Sequence, residues 1–167
     1  MTLKELRPGE VQCVVLAGMG GPLIRDILET SAKTAHSLRS LILQPQSEAG
    51  LVRHYLFENG YVIDAEEAVW DAGKYYQMFR ARPLGSPDDA AGFPVYSEEE
   101  DFLYGKILID TAHPVLESFL HKQEEKAQAL FKQLDGHGSA RAAARQKELM
   151  QDLSLIRTAL VRINEAK

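Results

Sequence analysis

The sequence predicts an α/β fold that gives way to a pair of long helices. Three observations carry that reading. Apolar runs at Val14–Leu16 and Leu41–Leu43 are each followed by helical spacing, and strand alternating with helix is how a parallel sheet is built. A run rich in β-formers over 61–70 is followed, across Asp71-Ala72-Gly73, by a second run over 74–81, as in a hairpin. Beyond Pro114 the apolar residues recur every three or four positions.

The elements follow in order. Gln12–Ala17 reads as a first strand, its apolar run suited to burial on both faces. Gly18-Met19-Gly20-Gly21 reads as a glycine turn, where three glycines admit positive φ and close backbone approach. Pro22 suits the first turn of the helix that Leu23, Ile24, Ile27 and Leu28 then mark. Ser40–Gln46 is a second strand. Ser47 stands where it can cap the next helix, with Glu48 in the first turn. Leu51, Val52, Tyr55 and Leu56 form that helix's apolar face, and Asn59-Gly60 ends it. The order is β-α-β-α-β-β.

Residues 1–82 are thus expected to form the sheet domain, 83–109 a linker or surface loop, and 110–167 a helical hairpin. Residues 82–101 carry three prolines and two glycines, and the acidic run Glu98–Asp101 reads as solvated. The first hairpin helix has its stripe at Leu116, Leu120, Gln123, Ala127, Leu130 and Leu134. The second has Ala142, Gln146, Leu149, Leu153, Ile156, Leu160 and Ile163. Asp135-Gly136-His137-Gly138 is the turn between them, and Ser139 is placed to cap the second helix. The seams are coiled-coil-like.

Composition narrows the function classes. No apolar run approaches the ~20 residues of a membrane span, and the first ten residues, mostly polar, do not resemble a signal peptide. Cys13 is the only cysteine, which fits a reducing cytoplasm, and its place in the first strand suggests a small buried side chain. The five histidines form no constellation, and the acidic run offers no metal-ligand spacing. No metal is expected. The net charge of −5 argues against broad polyanion binding, yet residues 138–167 are +3 and residues 1–137 are −8. That asymmetry suits either a phosphate-contacting arm or an ordinary solvated helix face.

The glycine motif alone is compatible with a ligand-binding strand end or with a plain tight turn. It is neither the dinucleotide fingerprint nor a P-loop. In combination the motifs say more. Ala17-Gly18-Met19-Gly20-Gly21, Leu41-Ile42-Leu43-Gln44-Pro45 and Asp71-Ala72-Gly73-Lys74-Tyr75-Tyr76, in this order and spacing, resemble the bacterial tRNA adenine-N1 methyltransferase family TrmK. Tyr104-Gly105-Lys106-Ile107-Leu108 and His113-Pro114-Val115-Leu116 are similar too.

The resemblance implies the second half of a Rossmann-like methyltransferase sheet, ending in a β-hairpin, followed by an antiparallel helical coiled coil. It also implies a truncated or split member. The family's opening half, with the Asp-x-Gly-x-Asp-His turn that holds S-adenosylmethionine, has no counterpart here. The implied reaction is methyl transfer from S-adenosylmethionine to N1 of an adenine in tRNA. By resemblance, Gly18, Met19, Gly20 and Gly21 lie beside the methyl-transfer site, and Ala17 and Gly18 touch the cofactor. Gln44, Pro45 and Gln46 lie where the substrate base would be contacted. Gln46 departs from the asparagine usual in the family. Arg141 and Arg145 become the expected phosphate contacts. The implied partners are tRNA and either the missing N-terminal half or a second copy along the exposed first strand, with no membrane. A noncatalytic tRNA-binding module and a structural interaction protein are the alternative classes.

Overall fold

The computed structural model describes residues 3, 5–7, 9–134 and 139–167 of the chain. The expected turn at Asp135-Gly136-His137-Gly138 lies outside the described residues. The chain divides into two compact units, Met1–Ile107 and Leu108–Lys167.

The first unit is a mixed four-stranded sheet with helices, an α/β arrangement. β1 (Cys13–Gly20) leads directly into α1 (Gly21–Thr30), and the short α2 (Ala32–His36) follows. Then come β2 (Ser40–Ser47), α3 (Ala49–Glu58), β3 (Tyr61–Asp71) and β4 (Lys74–Pro83). The strand order is β1-β2-β4-β3. β1 and β2 are parallel, whereas β4 runs antiparallel to both β2 and β3. The β-α-β-α-β-β order read from the sequence is therefore the order observed. Asp71 pairs with Lys74 across Ala72 and Gly73, both at positive φ (46° and 78°). Two successive left-handed residues make a type I′ turn, whose twist matches that of the strands it joins.

The core lies on one side of the sheet. Leu16, Leu41, Leu43, Phe79 and Ala81 pack with Ile24, Ile27 and Leu28 of α1 and with Val52 and Leu56 of α3. The other face of β1 is open. Cys13 and Ala17 are exposed there, and Val15 is 63% exposed. This corrects two expectations. Cys13 is not a buried side chain, and the apolar run of β1 is covered on one face only. Among the described residues β1 pairs with β2 alone, so it forms the edge of the sheet. The open face is not purely apolar. At the β3 bulge, Asp64 accepts from Arg80 at 2.6 Å and is also paired with Arg82. The Asp64 hydrogen bond and charge hold the Arg80 guanidinium above the usual arginine range.

The segment after β4 is more structured than a linker. It forms a 3-10 turn at Pro87–Ala90 and a π-helical turn at Asp101–Gly105. The acidic run is not wholly solvated, because Glu100 and Asp101 are buried. The Asp101 carboxylate accepts from the backbone N–H groups of Ser97 and Glu98, both at 3.1 Å. A carboxylate on two otherwise orphaned donors closes this turn as a helix cap does.

α4 (Lys106–Asp110) precedes the second unit's two long helices, α5 (Pro114–Leu134) and α6 (Ala140–Glu165). Arg157 pairs with Glu124, and Lys167 with Glu117, each at 2.7 Å. A later residue thus meets an earlier one, so the helices run antiparallel. Leu149 and Leu153 of α6 cluster with Ala127, Phe131 and Leu134 of α5. Phe131 occupies the place expected for Leu130, which is exposed instead. Ser139 caps α6, accepting from the Ala142 N–H at 3.1 Å. No helix among the described residues is long and apolar enough to cross a membrane.

Candidate functional site

In a parallel α/β arrangement the ends of the strands meet the starts of the following helices, and ligands lie outside those carboxyl ends. Here that place is where β1 and β2 finish together. Ala17 pairs with Gln44, Met19 with Pro45 and Gly20 with Ser47, leaving Gly18 unpaired at the first of two register shifts and Gln46 at the second. Gly18 is a bulge residue at φ 75°. The glycine segment is therefore the last part of a strand, not a turn beyond it.

Each residue of the motif has its own physical reason. Gly18 alone of the three glycines needs positive φ. Its N–H donates to Gln44 Oε1 at 2.9 Å, which fixes the bulge against the next strand. Met19 is half-buried and packs on the core. A Cβ on Gly20 would come within 3.2 Å of Ser47 Oγ, and one on Gly21 within 2.5 Å of the Glu48 carbonyl oxygen. The close approach at Gly21 is thus to the protein's own backbone. It lets the start of α1 lie directly on the end of β2.

The same crossing overturns the expected cap. Ser47 stays in β2, held in register opposite Gly20, and Glu48 takes the N-cap position of α3 in the left-handed region (φ 52°, ψ 44°). No side chain caps α3. Glu48 is exposed, as a non-glycine residue in a conformation found mainly at turns and functional sites. Arg25 of α1, paired with Asp26 at 2.8 Å, also feels the Glu48 charge. Asp26 and, more weakly, Glu48 raise the Arg25 pKa. The sequence places Glu48 in the first helical turn instead of at the N-cap and does not single out Arg25, because a non-glycine αL residue has no compositional signature.

Of the expected site residues, the strand ends bring together Ala17, Gly18, Met19, Gly20, Gly21, Gln44, Pro45 and Gln46. Ala17 and Gly18 are exposed, and Gln46 is exposed with its amide 3.9 Å from where a Cβ of Gly18 would stand. Pro45 is buried, and the Gln44 side-chain oxygen Oε1 accepts from the Gly18 N–H. What the site offers a flat ligand is the exposed Ala17–Gly18 segment, with the Gln46 amide beside it. Arg141 and Arg145 belong to the other unit. Both are exposed on α6, and Arg145 pairs with Glu148 at 2.7 Å. Among the described residues no group of three or more metal-ligating side chains converges.

Comparison with known proteins settles the kinship. Residues 2–158 match the family model for TrmK, tRNA (adenine(22)-N(1))-methyltransferase. The chain belongs to the TrmK family. The resemblance read from the three sequence motifs is borne out. A tRNA (adenine(22)-N(1))-methyltransferase of Bacillus subtilis (strain 168) is 27% identical over 132 residues, 79% of this chain and 54% of the relative. The chain thus spans about half the length of that TrmK relative. Among solved structures, the TrmK methyltransferase of Bacillus subtilis superposes with a TM-score of 0.77 at 25% identity, covering 95% of this chain and 67% of that one. Streptococcus pneumoniae Sp1610, solved in complex with S-adenosyl-L-methionine, gives 0.75 at 24% identity, covering 95% and 64%.

Proposed function

We propose that this chain serves S-adenosylmethionine-dependent methylation of adenine N1 in tRNA, in the cytoplasm. In this reading it contributes the substrate-side strand ends and an RNA-gripping arm. The observation that carries this is the family match over nearly the whole chain, combined with open β1 and β2 ends. When bound, S-adenosylmethionine supplies an electrophilic methyl group to the N1 lone pair of adenine. That nitrogen is largely unprotonated near neutral pH and needs little help from a base, so positioning is the main task. Ala17 and Gly18 lend exposed backbone toward the cofactor's methyl-bearing side. Gln44 holds the Gly18 bulge in place, and Gln46 lies at the base-contacting position. Met19, Gly20 and Gly21 set the course of α1 past the site. The target adenine must be unstacked to reach a strand end.

The α5–α6 pair, read as an antiparallel coiled coil, is the arm that grips the tRNA body. Its charge is opposite to that of the rest of the chain. The Arg145–Glu148 pair is exposed and three residues apart, worth only a few tenths of a kcal/mol. It yields easily to a phosphate. Each phosphate contact adds roughly −0.7 to −0.9 to the log-log salt slope of binding. Changing Arg141 and Arg145 together to Ala is expected to flatten the slope for tRNA by about one to two units. A tRNA affinity and slope unchanged by the double substitution would remove the arm from the RNA interface.

A further α/β segment laid along β1 completes the catalytic unit. Support comes from the edge itself. Among the described residues no strand pairs with the outer edge of β1, and an apolar edge strand with no charge or proline is an unusual surface to leave free. Amide exchange in dilute chain is expected to find Cys13–Leu16 poorly protected relative to Leu41–Leu43. Equal protection would mean that the edge is already covered. Self-association through the same edge is the competing outcome, recognised by protection that rises with chain concentration.

A further inference from the structure

A cavity of about 190 Å³ lies within the first unit, away from the strand ends. Its walls include Tyr61, Val62 and Ile63 from the start of β3, Leu84 just past β4, and Phe93 and Tyr96 of the following loop. Ile63 pairs with Ala81, which in turn pairs with Leu41 near the start of β2. The cavity is therefore at the opposite end of the sheet from Ser47 and the glycine segment. Two large apolar side chains at its lining are left in water, Phe57 at 54% exposure and Val95 at 67%. The part of the lining that meets solvent most fully is therefore apolar.

Its chemistry is set by one buried cation that has no charge to spare. Arg53 lines the cavity, yet its Nε donates to Glu66 at 2.8 Å and its other two nitrogens to the Phe102 carbonyl and the Gln77 side chain. The Arg53 charge is balanced by Glu66, whose side chain is equally buried. The hydroxyl of Tyr61 is directed to His36 at 3.1 Å. Burial pushes the Tyr61 and Tyr96 hydroxyls well above the usual tyrosine range, so both remain neutral. What remains is an apolar, aromatic-walled space without net charge. A dry engineered cavity of roughly 150 Å³ with aliphatic and aromatic walls takes up benzene.

We propose that this cavity is a binding site for a small neutral molecule built on a single aromatic ring. It is independent of the strand-end site and of the methyltransferase reading. The volume admits one six-membered ring, the walls are aromatic and aliphatic, and the neutralised Arg53 gives an anion no counter-charge.

The test is a methyl- and aromatic-resolved NMR titration of the intact chain with benzene, and in parallel with benzoate. Benzene is expected to produce saturable shifts at Val62, Ile63 and Leu84 with a dissociation constant of about millimolar. Benzoate is expected to bind at least roughly tenfold more weakly. Filling the space with Val62→Phe, or separately with Ala90→Leu, is expected to weaken benzene roughly tenfold or more while the spectrum stays folded. Having two filling variants guards against one that does not fold. Absence of saturable shifts up to the solubility of benzene would overturn the proposal. So would equal binding of benzoate, or unchanged affinity in a folded filling variant.

Discussion

Arg53→Met is expected to destabilise the first unit by about 3–5 kcal/mol, because it leaves the Glu66 carboxylate buried without its partner. Both side chains of the pair are fully buried, at an Nε–Oε1 distance of 2.8 Å. The guanidinium lies 4.6 Å from the centre of the Phe79 ring and also serves Gln77 and the Phe102 carbonyl. Glu66 in turn accepts from the Ile107 N–H at 2.9 Å. The pair thus ties α3, β3, β4 and the π-helical turn into one hydrogen-bonded knot. A domain is typically stable by about 5–15 kcal/mol, so this single change approaches the whole margin. Urea unfolding followed by circular dichroism reads the loss. The double variant Arg53→Met with Glu66→Leu is expected to be clearly more stable than Arg53→Met alone, since no uncompensated charge then remains. A single variant as stable as the parent would show that the pair is not the determinant described.

The second large effect is expected at Gly21→Ala. The added methyl would stand 2.5 Å from the Glu48 carbonyl oxygen and 2.8 Å from that of Ser47. Both are backbone atoms and cannot rotate away, so α1 must move off the end of β2. Overpacking of this kind costs about 1–3 kcal/mol. The displacement would fall on the strand ends, and tRNA binding is expected to drop with stability. By contrast, Gly60→Ala meets no atom within 4 Å and strains only its own φ of 73°. Thermal unfolding of the two variants side by side separates a steric clash from a backbone preference. If Gly21→Ala were no worse than Gly60→Ala, the close crossing of α1 over β2 would not be what the motif encodes.

Much of this architecture was legible because it rests on local rules. Helical and strand periods, the Asn59-Gly60 stop, the hairpin turn and the Ser139 cap all depend on neighbours in sequence. What escaped depends on neighbours in space. Arg53 sits in a helix whose apolar face was read from Leu51, Val52, Tyr55 and Leu56. Only the arrival of Glu66, 13 residues later, makes its burial possible. Cys13 and Val15 have the composition of a covered strand, and exposure at a sheet edge leaves no mark on composition. Ser47 has a capping residue's chemistry, but its pairing with Gly20 keeps it in the strand. Leu130 and Phe131 are both apolar, and helix phase chose between them. At the candidate site the sequence placed the strand-to-helix crossing but ended β1 three residues early, at Ala17 instead of Gly20, and assigned the glycines one shared reason. The structure gives Gly18 a left-handed bulge and Gly21 a backbone contact.

On the proposed function, this chain supplies the substrate side of a methyl-transfer site, while the cofactor is held mainly by a segment laid along β1. Calorimetric titration of the chain with S-adenosylmethionine, paired with transfer of labelled methyl groups to tRNA, tests it most directly. The expected result is no binding tighter than about millimolar, roughly −4 kcal/mol, and no turnover on tRNA by the chain alone. Micromolar binding accompanied by methylation of tRNA adenine would contradict it.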